Sequence, residues 1–191
     1  QPFYPGPGLG GHCIPLDPYY LTWKAREYGF HTSMIENSMI INDNMPRYCV
    51  ERAMRLLSRK HRKALCGAKV LALGVALLVP LQPILENPAL TPDIDDCRES
   101  PAIRVLKLLR EEGAEVTYFD PWVAQYKEDG QVYYSEKELT PELVQAADLV
   151  IVTAGHNNVD YAMVQKNAKA VFDTKNVMRK HNAFGDNVEV L

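Results

Sequence analysis

The chain has 191 residues, of which 47% are hydrophobic and 24% are charged, and its formal net charge is −3. The composition is typical of a soluble globular protein with one large or two small domains. A pI near 6.0 excludes the strongly basic footprint of proteins that bind the DNA or RNA backbone.

The four cysteines, at positions 13, 49, 66 and 97, form no Cys-x-x-Cys pair and have no histidine at metal-ligand spacing. We therefore expect no metal site, no disulfide framework and a reducing, cytoplasmic location. The longest apolar run, residues 70–81, is too short to span a bilayer, so we expect no membrane anchor. Because the chain begins with Gln1 and with a loop, we also expect further sequence upstream.

The first distinctive stretch is a glycine- and proline-rich loop that ends at Cys13. Its small side chains allow the backbone to approach a ligand closely. Asp17 followed by Pro18 predicts a helix over residues 18–29, with Asp17 as its N-cap and Pro18 at its first position. The positive end of this helix would favour a thiolate at Cys13, which is the form that attacks a carbonyl carbon.

Two helical patterns follow the loop. In residues 18–29, Leu21, Ala25 and Tyr28 mark one face and Gly29 predicts the helix end. A second, longer helical stretch begins near Ser33, and we expect it to break or restart at Pro46. The apolar face of its second half is formed by Cys49, Ala53, Leu56 and Leu57. The basic run at residues 59–63 is interpreted as a solvated helix end rather than as a nucleic-acid site.

From residue 64 onward, strands and helices alternate. The pattern predicts strands at 69–76, 115–119, 148–153 and 168–172, separated by helices at 101–112, 141–147 and 160–166. Such alternation indicates an α/β domain with a doubly wound, Rossmann-like parallel sheet. Asp120, Thr153, His156 and Asp173 follow the strands, at the edge where ligands bind. The first strand lacks a Gly-x-Gly-x-x-Gly turn, so we expect no NAD site in this domain.

The stretch from Gly6 to Glu27, GPGLGGHCIPLDPYYLTWKARE, resembles the active-cysteine signature of the UDP-glucose/GDP-mannose dehydrogenase family, and most of all the branch that acts on UDP-N-acetylglucosamine. Residues 95–101, DDCRESP, match a second segment of the same family. Residues 77–91 depart from the family pattern as an atypical insertion, and the lysine that relatives carry there is missing.

The resemblance implies a division into two parts. Residues 1–63 would be the end of a helical central domain, and the helices at 33–60 would form a homodimer interface. Residues 64–191 would be the C-terminal UDP-binding domain. The family's NAD domain would lie upstream of the cysteine loop, outside this chain.

The resemblance also implies an activity. Family members oxidise the C6 alcohol of a nucleotide sugar to a carboxylate in two NAD-dependent hydride transfers. Cys13 would attack the intermediate aldehyde to form a thiohemiacetal and then a thioester, and Asp17 would help to activate the hydrolytic water. Arg98 would contact the diphosphate or the cofactor. The residues expected to contact the UDP-sugar are Phe3, Tyr4, Gly8, Gly10 and Gly11.

Two other interpretations remain open at this point. The chain could be a non-catalytic module that binds a UDP-sugar and dimerises. It could also be an unrelated hydrolase with a cysteine nucleophile, which would need a histidine base oriented by a carboxylate. The candidate histidines carry no surrounding signature; they are His31, His61, His156 and His181.

Overall fold

The structure, a computed structural model, describes residues 5–11, 13–76, 97 and 99–191. In chain order its elements are α1 (Cys13–Glu27), α2 (Ser33–His61), β1 (Lys69–Leu73), α3 (Pro101–Glu111), β2 (Glu115–Phe119), β3 (Gln125–Glu128), β4 (Gln131–Tyr134), α4 (Pro141–Ala146), β5 (Leu149–Val152), α5 (Tyr161–Asn167), β6 (Val171–Asp173), α6 (Val177–Lys180) and β7 (Val188–Val190). The expectations for Phe3, Tyr4, Arg98 and residues 77–91 concern residues outside this description.

Five strands form a parallel sheet in the order β2-β1-β5-β6-β7. Helices α2 and α3 pack on one face, and α4, α5 and α6 pack on the other. Because both faces are covered, the central strands are nearly continuous apolar runs, as in β5, where all four residues are buried. The predicted doubly wound α/β fold is confirmed.

The strand order reverses between β1 and β5, and Gly74 allows the two strand ends to approach each other there. Gly74 follows β1 with a φ of +85°, and a Cβ at this position would lie 2.5 Å from the Cβ of Ala154, which follows β5. Open parallel sheets bind ligands at such a reversal point, outside the carboxyl ends of the strands. The close approach therefore shapes the floor of the expected ligand crevice.

Helix α2 differs from the prediction because it runs without interruption through Pro46. Proline lacks the N–H that would bond to the carbonyl of Asn42, and this loss usually breaks or kinks a helix. Here the residues on both sides are held by tertiary packing: Met39 is buried before the proline, and Cys49 and Ala53 are fully buried after it. Packing therefore outweighs the local propensity.

Helix α1 also differs from the prediction, since it begins at Cys13 rather than at Pro18. The first four N–H groups of a helix have no intrahelical partner, so Pro15 removes no helical hydrogen bond. Asp17 is consequently an internal residue of α1, and its predicted N-cap role is wrong. Leu21 and Tyr28, which mark one face in the sequence pattern, are 55% and 79% exposed.

The end of α1 is as predicted. Gly29 has a φ of +72°, and the N–H groups of Gly29 and Phe30 donate to the carbonyls of Arg26 and Ala25. These are the two hydrogen bonds of a Schellman cap, which requires a residue in the left-handed conformation. Ser100 caps α3 as expected, since its hydroxyl oxygen accepts from the N–H of Ala102 at 3.3 Å.

The β3–β4 hairpin was not predicted. Its turn residues Asp129 and Gly130 both have positive φ, at 48° and 82°, which is the geometry of a type I′ turn. Tyr126 and Tyr133 stack across the two strands with ring centroids 5.1 Å apart. The Arg110 guanidinium lies 3.8 Å from the ring centroid of Tyr133, so α3 holds the hairpin against the domain.

Two alanine variants distinguish the cost of crowding at Gly74 from the cost of its positive φ. We expect Gly130→Ala to cost about 1 kcal/mol, because φ is positive but no atom lies within 4 Å of the new Cβ. Gly74→Ala should cost about 3 kcal/mol, since it adds overpacking against Ala154. The free energies of unfolding in urea measure both costs. Equal costs would contradict the role assigned to the approach.

Candidate functional site

Cys13 lies at the first position of α1, and its side chain is exposed. Asp17 is one turn further along the helix and is also exposed. Residues four apart lie on the same face of a helix, one above the other. The sequence spacing of the two predicted catalytic residues therefore places a thiol and a carboxylate side by side at the N-terminal end of α1.

The glycine-rich loop before Cys13 is packed between two helices. The N–H of Leu9 donates to the Oδ1 of Asn42 on α2, with a donor–acceptor distance of 2.7 Å. Gly8 has a φ of +131°, and a Cβ there would lie 3.2 Å from the Cβ of Pro101 at the start of α3. Gly11 also has a positive φ of 86°, whereas Gly10 is a half-buried residue of the loop. A side chain at Gly8 would thus be strained and crowded.

Lys175 is a site residue that the sequence reasoning missed. It follows β6 at the carboxyl edge of the sheet, and a Cβ on Gly6 would lie 2.8 Å from its Nζ. Burial lowers the pKa of the Lys175 ammonium, while the carboxylate of Asp173 opposes the shift. The loop that leads to Cys13 therefore lies against the half-buried ammonium group of Lys175. The available signal was a lysine two residues after the aspartate that ends a predicted strand.

Asp120 lies at the carboxyl end of β2 and is buried together with His156. The Asp120 Oδ2 is 3.1 Å from the Nε2 of His156. The carboxylate also accepts hydrogen bonds from four main-chain N–H groups, those of Val75, Ala76, Trp122 and Val123. It therefore connects the chain segments that leave β1, β2 and β5.

The pKa of Asp120 reflects this network. Burial alone would raise the pKa of its carboxyl, but the hydrogen bond and charge of His156, together with the main-chain donors, hold it below its usual range. The pair has side-chain exposures of only 0% for Asp120 and 1% for His156. It is thus a structural pair inside the sheet edge and does not present a histidine base to a substrate.

The same geometry bears on dinucleotide binding. In a Rossmann half, an acidic residue at the end of the second strand binds the ribose hydroxyls, and a glycine turn after the first strand admits the pyrophosphate. Here the Asp120 carboxylate is directed at the chain after β1, through Val75 and Ala76. The described residues of this domain therefore do not fit the adenosine half of NAD.

Two further residues at the sheet edge also serve the main chain. The hydroxyl of Thr153 hydrogen-bonds the carbonyl of Gly74. Asp173 is fully buried, and its carboxylate accepts from the N–H groups of Lys175 and Met178 at 3.0 and 2.8 Å. The edge lies where the sequence predicted it, but these side chains hold loops in place. Lys175 carries a cation there.

A groove of about 700 Å³ lies between α1 and α2. Its lining includes Tyr20, Trp23 and Ile40, which are 63%, 63% and 56% exposed. Met34 and Ile41 of α2 are also exposed, at 83% and 64%. Exposed apolar side chains that line a groove mark interaction sites in soluble domains.

The part of the chain that the structure describes contains neither a metal-binding cluster nor a membrane-spanning helix. Among residues 5–11, 13–76, 97 and 99–191, no three His, Cys, Asp or Glu side chains come together in a way that could hold a metal ion. Within the same ranges, no helix combines the length and the apolar character needed to cross a membrane.

Comparison with known protein families assigns both parts of the chain. Residues 1–44 match the central domain of the UDP-glucose/GDP-mannose dehydrogenase family, and residues 89–180 match the UDP binding domain of the same family. The fold and the cysteine loop are thus those of nucleotide-sugar dehydrogenases. The chain belongs to the UDP-glucose/GDP-mannose dehydrogenase family.

Individual relatives agree. The chain is 32% identical to a UDP-N-acetyl-D-glucosamine 6-dehydrogenase from Pseudomonas aeruginosa over 89% of its own length and 37% of the relative. It is 29% identical to a UDP-N-acetyl-D-mannosamine dehydrogenase from Methanocaldococcus jannaschii, over 92% and 36%. The crystal structure of an NDP-N-acetyl-D-galactosaminuronic acid dehydrogenase from Methanosarcina mazei superposes with a TM-score of 0.76 at 25% identity, over 99% of this chain and 39% of that one. The chain thus spans under two fifths of these relatives.

The Asp120 network should be visible in the pH dependence of stability. We expect Asp120→Asn to cost about 3 kcal/mol at neutral pH, because an amide cannot accept all of the buried N–H groups. A carboxyl with a lowered folded pKa contributes stability above the usual Asp value of 3.8 and loses it as the pH falls through the folded value. The difference between the variant and the unmodified chain in urea titrations should therefore shrink in acid.

Asp160→Asn is the matched control for this prediction. Asp160 caps α5 by accepting from the N–H of Met163 at 2.9 Å, and asparagine is an equally good N-cap. We expect a change of at most about 0.5 kcal/mol with little pH dependence. A similar cost for both variants would show that the Asp120 network contributes no special stability.

Proposed function

We propose that this chain is the thiol-bearing and UDP-sugar-binding part of an NAD-dependent nucleotide-sugar 6-dehydrogenase whose substrate is an N-acetylated UDP-hexosamine. The observation that carries the proposal is the position of the loop before Cys13, which packs against Lys175 at the carboxyl edge of the sheet. In this proposal, residues 1–63 complete a central domain and residues 64–191 form the UDP-binding domain.

The electrostatics of the edge support a phosphorylated ligand. A UDP-sugar carries a diphosphate, which binds to cations and to main-chain N–H groups in places where water is excluded. Lys175 supplies a half-buried ammonium group, and the loop brings the main chain of Gly6 close to it. Further along the loop, Gly8, Gly10 and Gly11 add no bulky side chains. The sugar would then extend along the loop toward Cys13.

Cys13 would perform the covalent chemistry. Its sulfur forms a bond to the aldehyde carbon at C6, which gives a tetrahedral thiohemiacetal with a proton on oxygen. Loss of that proton and of a hydride leaves a thioester on Cys13. Water then attacks the thioester carbonyl, the C–S bond breaks, and the carboxylate and the thiol are released. Asp17, on the same helix face, is placed to accept a proton from that water.

Each of the two oxidations releases one hydride, and NAD supplies the acceptor in both when it is bound. The described residues of this chain offer no dinucleotide cradle, because Asp120 is engaged with the chain after β1. We therefore propose that another part of the whole protein holds NAD over the cysteine loop. Under this proposal the chain by itself binds the sugar nucleotide but does not turn it over.

The exposed apolar surface of α1 and α2 supports a second element of the proposal, a homodimer. Ile40 and Ile41 lie on α2 within residues 33–60 and are more than half exposed. A second copy that packs on this surface would remove it from water, which is the main driving force for association. Helix α2 would then serve both the sheet core and the interface.

A binding experiment tests the sugar-nucleotide site. We expect UDP-N-acetylglucosamine to bind the chain in calorimetric titrations without NAD, and NAD alone not to bind. The sugar nucleotide should also slow alkylation of Cys13 by iodoacetamide, read out by mass spectrometry, and leave the exposed Cys66 unaffected. Cys49 should not react, because burial raises the pKa of its thiol to about 12.

Lys175→Met should weaken this binding about tenfold or more, because it removes a charge-assisted hydrogen bond to the diphosphate. Lys166→Met removes an exposed lysine and is the matched control. Binding without protection of Cys13 would favour the non-catalytic module. Binding of NAD alone would contradict the domain assignment, and equal effects of the two lysine variants would rule out the role of Lys175.

The dimer is tested by sedimentation. We expect a species of twice the 21.6 kDa chain mass, and Ile41→Glu should convert it to the monomer because a charge would be buried in an apolar interface. Ser58→Glu adds the same charge to an exposed position on the same helix and should leave the dimer intact. A monomeric unmodified chain at micromolar concentration would argue against the interface.

A further inference from the structure

Two adjacent residues of α2 hold the chain on both sides of Cys13. The Oδ1 of Asn42 accepts from the N–H of Leu9 at 2.7 Å, and the Oδ2 of Asp43 accepts from the hydroxyl of Tyr19 at 2.5 Å. Leu9 precedes Cys13 in the loop, and Tyr19 follows it in α1. One turn of α2 therefore fixes both the loop and the helix that meet at the thiol.

Pro46 leaves one main-chain carbonyl in the same turn of α2 without its helical hydrogen bond. Because proline has no N–H, the carbonyl of Asn42 receives no helical hydrogen bond from position 46. That carbonyl oxygen lies 3.5 Å from the Cβ position of Gly8, while Pro101 closes the other side at 3.2 Å. The loop thus fits into a narrow space, and its path over α2 is tightly defined.

The Tyr19 hydroxyl is well suited to donate to Asp43. The hydrogen bond to Asp43 is the main cause that raises the pKa of the Tyr19 phenol, with burial and the charge of the same carboxylate adding to it. Arg104 faces the pair and acts in the opposite direction. A phenol with a raised pKa keeps its proton at neutral pH, so the contact remains intact there.

The other end of α2 is immobilised in the core. Cys49, Ala53 and Leu57 have no exposed surface and pack against strands of the sheet. A helix that is fixed in a close-packed core deforms little, so its other end is also held in place. The place of Cys13 relative to the sheet edge is therefore set through α2 by Asn42 and Asp43.

We propose that Asn42 and Asp43 are positioning residues for Cys13. They hold the loop and the first turns of α1 in the one arrangement in which the thiol faces the sugar of a nucleotide bound at the sheet edge. The proposal rests on the proposed function for the identity of the ligand. The restraint on Cys13 itself does not depend on that identity.

The first test measures the hydrogen bond directly, by exchange of the Leu9 amide with deuterium. Asn42→Leu removes the acceptor and should speed this exchange about fivefold, the factor that a typical net hydrogen bond represents. Asn42→Asp retains an Oδ1 acceptor and should restore slow exchange. Asn44→Leu is the matched control, because the exposed Asn44 side chain donates to the Ile40 carbonyl of its own helix and, among the described residues, makes no hydrogen bond to the loop.

The second test measures what a merely structural contact would not change. Asn42→Leu and Tyr19→Phe should each raise the rate of Cys13 alkylation by iodoacetamide at least about threefold, with the rate at Cys66 as an internal reference. They should also reduce the protection of Cys13 by UDP-N-acetylglucosamine. Asn42→Asp should behave like the unmodified chain in both measurements. Tyr19→Phe keeps the ring, so it tests the restraint even where Asn42→Leu lowers the yield of folded protein.

The outcomes separate the two proposals. Unchanged Leu9 exchange in Asn42→Leu, or equal changes at Cys13 and Cys66, would overturn the positioning role. If the unmodified chain gains no protection from the UDP-sugar, the proposed function fails. The Leu9 exchange and the ratio of Cys13 to Cys66 alkylation still decide the positioning role in that case.

Discussion

The structure depends above all on the double use of one helix. Helix α2 has 29 residues and is about 44 Å long. Its second half lies in the sheet core through Cys49, Ala53 and Leu57, and its first half supports the cysteine loop through Asn42. In the proposed function, this continuous helix holds the loop before Cys13 at a fixed place relative to the sheet edge. The packing that carries α2 through Pro46 would then be a functional constraint as well as a structural one.

The carboxyl edge of the sheet shows how one fold can be adapted to a different ligand. Asp120 follows the second strand, which is the place from which an acidic residue contacts the ribose in a Rossmann half. Asp173 ends β6 at the same carboxyl edge. In this chain both are buried and accept from main-chain N–H groups. The loops at the edge are thereby held without further ligands, and a cation, Lys175, lies beneath the glycine loop. The carboxylates at this edge are turned inward, and a cation lies beside the main chain. This arrangement supports the proposed binding of a diphosphate rather than of a second dinucleotide ribose.

Much of this fold follows from the sequence because the central strands are apolar on both faces and the helices between them have clear caps. Strand β2 was predicted to the residue, and Ser100 caps α3 as expected. The failures have physical reasons. Local propensity predicts a break at Pro46 and an N-cap at Asp17, but packing overrides the first and the early start of α1 overrides the second. Strand β7 has only three residues, which are too few to show the hydrophobic alternation of a strand. The Asp129-Gly130 turn of the hairpin was a readable signal that was missed.

The candidate site divides in the same way. Cys13 and Asp17 stay predicted catalytic residues, and their relation is local because residues four positions apart lie on one face of a helix. Asn42 lies 33 residues from its partner in the loop, and Lys175 is separated from the loop by most of the chain. No spacing rule links positions so far apart in sequence. Their roles come from the fold: the helix that carries Asn42 is fixed by the sheet, and the strand that ends before Lys175 belongs to that sheet. In the proposed function, a local motif thus supplies the reactive group, and the tertiary structure determines what that group can reach.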